Sequence, residues 1–196
     1  MSVVAQFKKA LEMTTAPGGL LELTTIERDG VPVKAFAQAP GSMRDLWALS
    51  TGHGDAEYLI YKDERWTYAQ TAKAVAEFGG WLMEQGVGPG DHVAIAMRNY
   101  PEWMMAHWAV NSIGAAIVGM NAWWVADEMD YALNDSKPKV LIADDRRFES
   151  FSHIQAKHPD IKVVSVRQPN SPVDAVVFHS AMLEGAHLPA LVLAPD

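Results

Sequence analysis

The chain has 196 residues, of which 49% are hydrophobic and 20% charged, so its composition is that of a globular protein rather than a disordered or fibrous one. Its formal net charge of -8, with no local run of Lys and Arg to offset it, argues against nucleic-acid binding. It has no cysteine, which excludes disulfides and thiolate chemistry and suits a reducing compartment, so we expect a cytoplasmic protein.

The N-terminal stretch MSVVAQFKKALEM places its charges after a short apolar run, unlike a secretion signal. The most apolar region, residues 103–126, is interrupted by polar residues and glycines, so we expect no transmembrane segment. It is more typical of a buried interior.

Residues 1–50 show no regular alternation of strand and helix, and we treat them as an N-terminal arm. Two strand-like runs, LLELTTIE and VPVKAFA, flank a turn that contains Asp29 and Gly30. An Asp-Gly pair tolerates positive φ, so the pattern predicts a tight β-hairpin. Ser42 then offers an N-cap for a short helix.

Residues 51–196 begin with a second predicted hairpin, whose turn lies at 62–64. Thr67 and Gln70 then have the spacing of a capping box, in which each side chain satisfies a free backbone N–H at a helix start. The helix that follows has apolar residues along one stripe, with Lys73 and Glu77 on another, and it ends before Gly86.

The pattern becomes regular after Val87. The runs HVAIAM, AAIVGM, KVLIA and IKVVSV predict four strands, and they alternate with helices near 101–113, 127–134 and 146–157. Short β-branched runs joined by helical crossovers are typical of a parallel sheet. We therefore predict an α/β, doubly wound, mainly parallel sheet flanked by helices, with the hairpin arm before it. A further helix is expected near 174–184.

Ligands of open α/β sheets bind beyond the carboxyl ends of the strands, and three stretches occupy such positions. They are Arg98-Asn99-Tyr100 after the first strand, Asn121-Ala122-Trp123-Trp124 after the second, and Asp144-Asp145-Arg146-Arg147 after the third. Each also has a structural explanation.

Asn99 precedes Pro101 and is expected to cap a helix rather than contact a ligand. The Trp123-Trp124 pair either stacks on a substrate or seals a core, and the sequence leaves both open. Asp144 and Asp145 resemble a paired-carboxylate site but can cap the next helix and pair with the two arginines after them.

No residue can be assigned to catalysis, cofactor binding or metal binding. The closest histidine pairs, His153 with His158 and His179 with His187, lack the i, i+4 spacing of a helical metal site. The glycine-rich segment 86–91 precedes a strand, whereas a phosphate cradle follows one, so we interpret it as a turn.

Read in order, the segments resemble the opening of AMP-forming acyl-CoA synthetases of the adenylate-forming superfamily. The resemblance runs through RWTYAQTAKAVAEFGGWLMEQGVGPGDHVAIAMRNYPEWMMAHWAVNSIGAAIVGMNAWWVADEMDYALNDSKPKVLIAD, and the arm is closer to fatty acyl-CoA ligases. It implies an enzyme that joins a fatty acid or other carboxylate to ATP, with Mg²⁺, and passes the acyl group from the adenylate to CoA.

The same resemblance implies that the family's phosphate-binding loop and catalytic lysine lie beyond Asp196. We therefore expect the chain alone to be inactive and to bind no cofactor, with the remainder of the polypeptide as its main partner and a homodimer as a further option. Two departures concern helix ends: Val125 stands where relatives often have a hydroxyl residue, and Lys137-Pro138-Lys139 replaces a glycine-containing turn.

Two alternatives remain. One is a stand-alone α/β interaction or dimerisation module without catalytic activity. The other is a small nucleotide-binding protein, for which no phosphate loop is visible.

Overall fold

The computed structural model describes residues 2–19, 21–168, 175–182 and 185–188. The chain divides into two compact units, one reaching Ser42 and the other beginning at Met43. The assignment of residues 1–50 and 51–196 as separate domains stays a prediction.

The first unit contains a helix and a hairpin. Helix α1 spans Val3–Thr15, and strands β1 (Leu23–Arg28) and β2 (Val31–Phe36) pair antiparallel. Asp29 and Gly30 have φ of 51° and 75°, the two-residue turn that the Asp-Gly pair predicted. None of these three elements contains a buried residue. Helix α1 was not predicted, although its apolar residues recur at helical spacing.

The second unit begins with elements that the sequence predicted. These are α2 (Met43–Thr51), β3 (Glu57–Tyr61), β4 (Glu64–Thr67) and α3 (Tyr68–Glu84). The capping box is present: Gln70 N–H donates to Thr67 Oγ1 at 3.1 Å, and Thr67 N–H donates to Gln70 Oε1 at 2.9 Å. Gly86, with φ of 79°, follows the helix end in the left-handed conformation.

Strands and helices then alternate. The strands are β5 (His92–Ala96), β6 (Ala116–Gly119), β7 (Val140–Asp144), β8 (Lys162–Val166) and β9 (Val176–Val177), and the helices are α4 (Pro101–Ser112), α5 (Ala126–Ser136) and α6 (Asp145–Ser152). The five strands form one sheet in the order β6-β5-β7-β8-β9, and all of its pairs are parallel. The predicted fold class is confirmed.

Helices cover both faces of this sheet. Successive strand residues point to opposite faces, so Ile95 and Ile142 join one buried cluster with α3 and α4, while Ala94 and Leu141 join another with α5 and α6. Helix α4 is covered on several sides, as its apolar composition predicted. Glu77, placed on a polar stripe of α3 in our prediction, is instead buried at 7% exposure and lies 3.7 Å from Lys73 Nζ.

The two helix ends that depart from the family pattern are closed in other ways. Val125 is the N-cap of α5 without a side-chain hydrogen bond, and Glu128 Oε2 accepts the Val125 N–H at 3.0 Å. Lys137 adopts the left-handed conformation, with φ of 46°, at the position where glycine is usual.

The prediction of a helix near 174–184 is wrong for the part of that segment that the structure describes. Val176–Val177 extends the sheet as β9, and Phe178–Ala181 forms a short 3₁₀ turn. Val176 pairs with Val164 of β8, and Phe178 is buried with Phe78 of α3 at 4.4 Å between ring centroids. Pairing and burial therefore outweigh helix propensity here. No helix in the described parts of the chain is long and apolar enough to cross a bilayer.

Candidate functional site

The three stretches selected from the sequence border one open cavity. Strands β5, β6 and β7 run parallel, so their carboxyl ends share one edge of the sheet. The cavity has a volume of about 670 Å³. Its lining residues are Tyr61, Arg98, Asn99, Tyr100, Ala122, Trp123, Asp145, Arg146 and Arg147.

A buried ion pair holds these loops together. Asp144 is 1% exposed and Arg147 4%, and the guanidinium lies 3.1 and 3.2 Å from the two carboxylate oxygens. Asp144 also accepts the Arg98 N–H at 2.9 Å, and Arg147 Nη2 donates to the carbonyl oxygen of Ala122. One pair therefore connects the loops that follow β5, β6 and β7.

Asp144 also caps helix α6, since its side chain accepts the Arg147 backbone N–H at 3.4 Å. The predicted capping by Asp144 and its neutralisation by Arg147 are confirmed. Asp145 lies instead in the first turn of α6, where its carboxylate accepts the Arg146 N–H at 2.7 Å. The two carboxylates thus differ, one buried and paired, the other exposed at the cavity.

The prediction that Asn99 caps helix α4 is wrong. The N-cap is Tyr100, which makes no side-chain cap hydrogen bond, and Pro101 opens the helix as expected. A residue before proline is driven to extended backbone, and Tyr100 has φ of -91° and ψ of 164°. The cap therefore falls one residue later than predicted, and Asn99 is exposed at the cavity.

The two tryptophans after β6 have different environments. Trp123 is 70% exposed, and the guanidinium carbon of Arg98 lies 4.9 Å from its ring centroid. Trp124 packs against the buried cluster on the α5 and α6 face of the sheet. Each of the two interpretations of the pair thus fits one residue: Trp124 seals a core, and Trp123 presents a ring at the cavity.

Tyr61 is the cavity residue that the sequence analysis missed. It comes from the β3–β4 hairpin rather than from a strand end, so the edge rule could not select it. Its ring meets that of Tyr100 edge-on, with centroids 5.5 Å apart and an interplanar angle of 87°. Burial raises the pKa of the Tyr100 hydroxyl, with the charge of Asp144 adding to the shift, so Tyr100 is a neutral phenol at pH 7.

The remaining sequence candidates lie elsewhere. Within the described ranges, no group of three His, Asp or Glu side chains is placed to hold a metal ion. His158 Nε2 lies 2.7 Å from Asp130 Oδ1, away from the cavity. The segment 86–91 is the predicted turn, with φ of 79° at Gly86 and 81° at Gly90.

A family model described as AMP-binding enzyme matches residues 46–188, which includes the whole parallel sheet. The chain belongs to the AMP-binding enzyme family. The part outside the match includes the first unit, with α1 and its hairpin.

Two relatives show how much of a family member this chain represents. It is 37% identical over 120 residues to YngI of Bacillus subtilis (strain 168), named as a candidate acyl-CoA synthetase, covering 60% of this chain and 21% of that protein. It is 28% identical over 137 residues to a medium/long-chain-fatty-acid–CoA/3-oxocholest-4-en-26-oate–CoA ligase of Mycobacterium marinum, covering 67% and 25%. The chain thus spans about a fifth to a quarter of the length of these relatives.

The fold of this AMP-binding enzyme chain is also found in a solved structure. A benzoate CoA ligase from Burkholderia xenovorans LB400 superposes with a TM-score of 0.66, covering 77% of this chain and 29% of that one. At 18% identity this likeness concerns the fold alone.

Proposed function

We propose that the whole protein is an AMP-forming acid–CoA ligase. It would join a carboxylic acid to ATP, release pyrophosphate and transfer the acyl group from the adenylate to the thiol of CoA, with Mg²⁺ accompanying ATP. Family membership and the relatives' names support this. The observation that carries the proposal within this chain is the convergence of three strand-end loops on one cavity.

The cavity suits a ligand that carries both phosphate and an aromatic base. Arg98 and Arg146 are exposed at it and supply guanidinium groups, which bind phosphate through paired N–H donors. The rings of Trp123, Tyr61 and Tyr100 offer surfaces for stacking. ATP and CoA both contain a phosphorylated adenosine, so either fits this chemistry.

The chain's own contribution is binding and orientation. The buried pair of Asp144 and Arg147 fixes the loops that carry Arg98 and Trp123, so the cavity is shaped before a ligand arrives. The groups that perform the chemistry belong, in this proposal, to the remainder of the polypeptide. The chain alone would therefore be inactive.

We take a fatty acid as the substrate acid. The M. marinum relative, named for medium- and long-chain fatty acids, supports this, as does the resemblance of residues 15–55 to fatty acyl-CoA ligases. We further assign the protein to the cytoplasm, where ATP and CoA are both available. The other candidate, an interaction or dimerisation module, is supported by the exposed apolar residues of the first unit, such as Phe7 at 69% and Val31 at 57% exposure.

The test uses the whole protein that contains this sequence. AMP release and thioester formation are measured with ATP, CoA and a set of acids that includes octanoate, palmitate and benzoate. We expect acid-dependent AMP and an acyl-CoA product, fastest with a fatty acid, and no acid-dependent pyrophosphate release from the 196-residue chain alone. A folded whole protein that forms no AMP with any acid would refute the ligase proposal and favour the interaction module.

Variants of the cavity test its role separately. Loss of a charge-assisted phosphate contact in Arg98→Ala or Arg146→Ala should raise the KM of one nucleotide substrate about tenfold. The substrate whose KM rises, ATP or CoA, identifies the occupant. Arg65→Ala removes an exposed arginine of β4 that pairs with Glu57 at 3.7 Å, and it should change neither KM.

A further inference from the structure

Arg167 lies beside the two tyrosine rings of the cavity wall, which contact each other edge-on. It follows β8 with φ of 59°, an uncommon conformation for a residue other than glycine. Its guanidinium carbon lies 4.9 Å from the ring centroid of Tyr61 and 4.8 Å from that of Tyr100. Both distances are within the range of cation–π contacts, so one side chain touches both rings.

Two carboxylates orient this guanidinium. Glu64 of β4 accepts from Nη1 and Nη2 at 2.7 and 2.8 Å, a paired contact that only a planar fork can make. Glu102 of α4, with a side chain 4% exposed, lies 3.0 Å from Nε, and His179 Nε2 lies 3.5 Å from the same carboxylate. Arg167 therefore joins β4, α4 and the end of β8.

The charges of this cluster are stable near neutral pH. The hydrogen bond to Glu64 raises the pKa of Arg167 above its ordinary value. Burial alone would raise the pKa of Glu102, but hydrogen bonds from His179 and Arg167 together lower it. The guanidinium and both carboxylates thus remain ionised together.

We propose that Arg167 is a positioning residue, which sets the place of the Tyr61 and Tyr100 rings and thereby the affinity of the cavity for its nucleotide substrate. The buried pair of Asp144 and Arg147 anchors the loop of Tyr100 at the backbone of Arg98, two residues before the ring. Tyr61 lies on the β3–β4 hairpin, which is separate from the loops that this pair connects. The affinity part of this inference rests on the proposed function; the placement of the rings does not.

The first experiment observes the rings directly. 3-Fluorotyrosine is placed at position 61 or 100 of the whole protein, and the ¹⁹F resonance is compared between wild type and Arg167→Lys. Lysine keeps the charge but lacks the planar fork that pairs with both carboxylate oxygens of Glu64. We expect both resonances to shift. The control Lys62→Gln removes a second cation near Tyr61, 5.3 Å from its centroid, and should leave the Tyr100 resonance unchanged.

The second experiment is kinetic. We expect Arg167→Lys to raise the KM of the nucleotide substrate bound by the cavity about fivefold to tenfold, with kcat changed by less than about twofold, since two cation–π contacts are lost but no reacting group is. The double variant Arg167→Gln/Glu102→Gln, which leaves no unpaired charge at Glu102, should give the same KM change. Lys62→Gln should not.

The outcomes separate the two proposals. Unshifted ¹⁹F resonances in Arg167→Lys would overturn the placement of the rings by Arg167, and shifted resonances with an unchanged KM would overturn its effect on the affinity of the cavity. A whole protein without ligase activity would instead refute the proposed function and remove the affinity part of the inference, while the ¹⁹F comparison would still decide whether Arg167 places the rings.

Discussion

The hairpin of the first unit and the parallel sheet of the second show two different ways in which this chain forms β-structure. Strands β1 and β2 pair over six residues each, yet every residue of β1 is exposed. Strand β7 has five residues, and all of them are buried. The hairpin depends on a local turn, whereas the sheet depends on contacts between residues far apart in sequence.

This difference predicts which substitutions lower the free energy of unfolding most. A buried side chain of the sheet loses both its transfer free energy and its packing when it is truncated, while an exposed hairpin residue loses little of either. Removal of one partner of the buried ion pair at the sheet edge should lower the free energy of unfolding most, because it leaves the other charge buried and unpaired.

The largest effect is expected for Asp144→Ala. It leaves Arg147 buried at 4% exposure without its carboxylate and removes the acceptor of the Arg98 N–H, so the free energy of unfolding should fall by about 3–5 kcal/mol. Urea unfolding followed by tryptophan fluorescence measures this, since all seven tryptophans lie in the second unit. The exposed neighbour is the control: Asp145→Ala should change stability by about 0.5 kcal/mol or less.

The next effect compares the two regions directly. Ile142→Ala in β7, at 0% exposure, should lower the free energy of unfolding by about 2–5 kcal/mol. Val33→Ala in β2, at 42% exposure, should change it by about 0.5 kcal/mol or less. Urea unfolding by circular dichroism reports on both variants. A large loss of unfolding free energy for Val33→Ala would show that the hairpin is covered in solution. The two regions would then not differ in how they respond to truncation.

The smallest effect concerns a local conformation within the second unit. Lys137 ends helix α5 in the left-handed conformation, with φ of 46°. Glycine adopts this conformation without steric strain, so Lys137→Gly should stabilise the chain by up to about 1 kcal/mol. Lys137→Ala removes the side chain but keeps the strain, and it should bring no such gain. Thermal unfolding of the two variants distinguishes a backbone effect from a charge effect.

The predictable parts of the fold were those with a local physical cause. The Asp29-Gly30 turn, the Thr67 and Gln70 capping box and the four β-branched runs were each visible as short patterns. One wrong prediction had a non-local cause. A helix is predicted near 174–184, but Val176 pairs with Val164 of β8, and local periodicity cannot reveal such a pairing.

The candidate site divides in the same way. The strand-end rule selected eight of its nine lining residues, because parallel strands bring their carboxyl ends to one edge. It could not find Tyr61, which reaches the cavity from a hairpin. Arg167 follows β8 and satisfies the rule, but its partners Glu64 and Glu102, 103 and 65 residues away in sequence, are visible only in the fold.

By itself, the sequence determined the class of fold, the Asp29-Gly30 turn, the Thr67 and Gln70 capping box, and the resemblance to acyl-CoA synthetases, since these depend on the order and spacing of neighbouring residues. Only the tertiary structure decided that Asp144 is buried with Arg147, that Trp123 is exposed while Trp124 packs inward, and that Arg167 contacts two tyrosine rings. Burial and contact across tens of residues are properties of the folded chain, because they arise only once separate elements pack together.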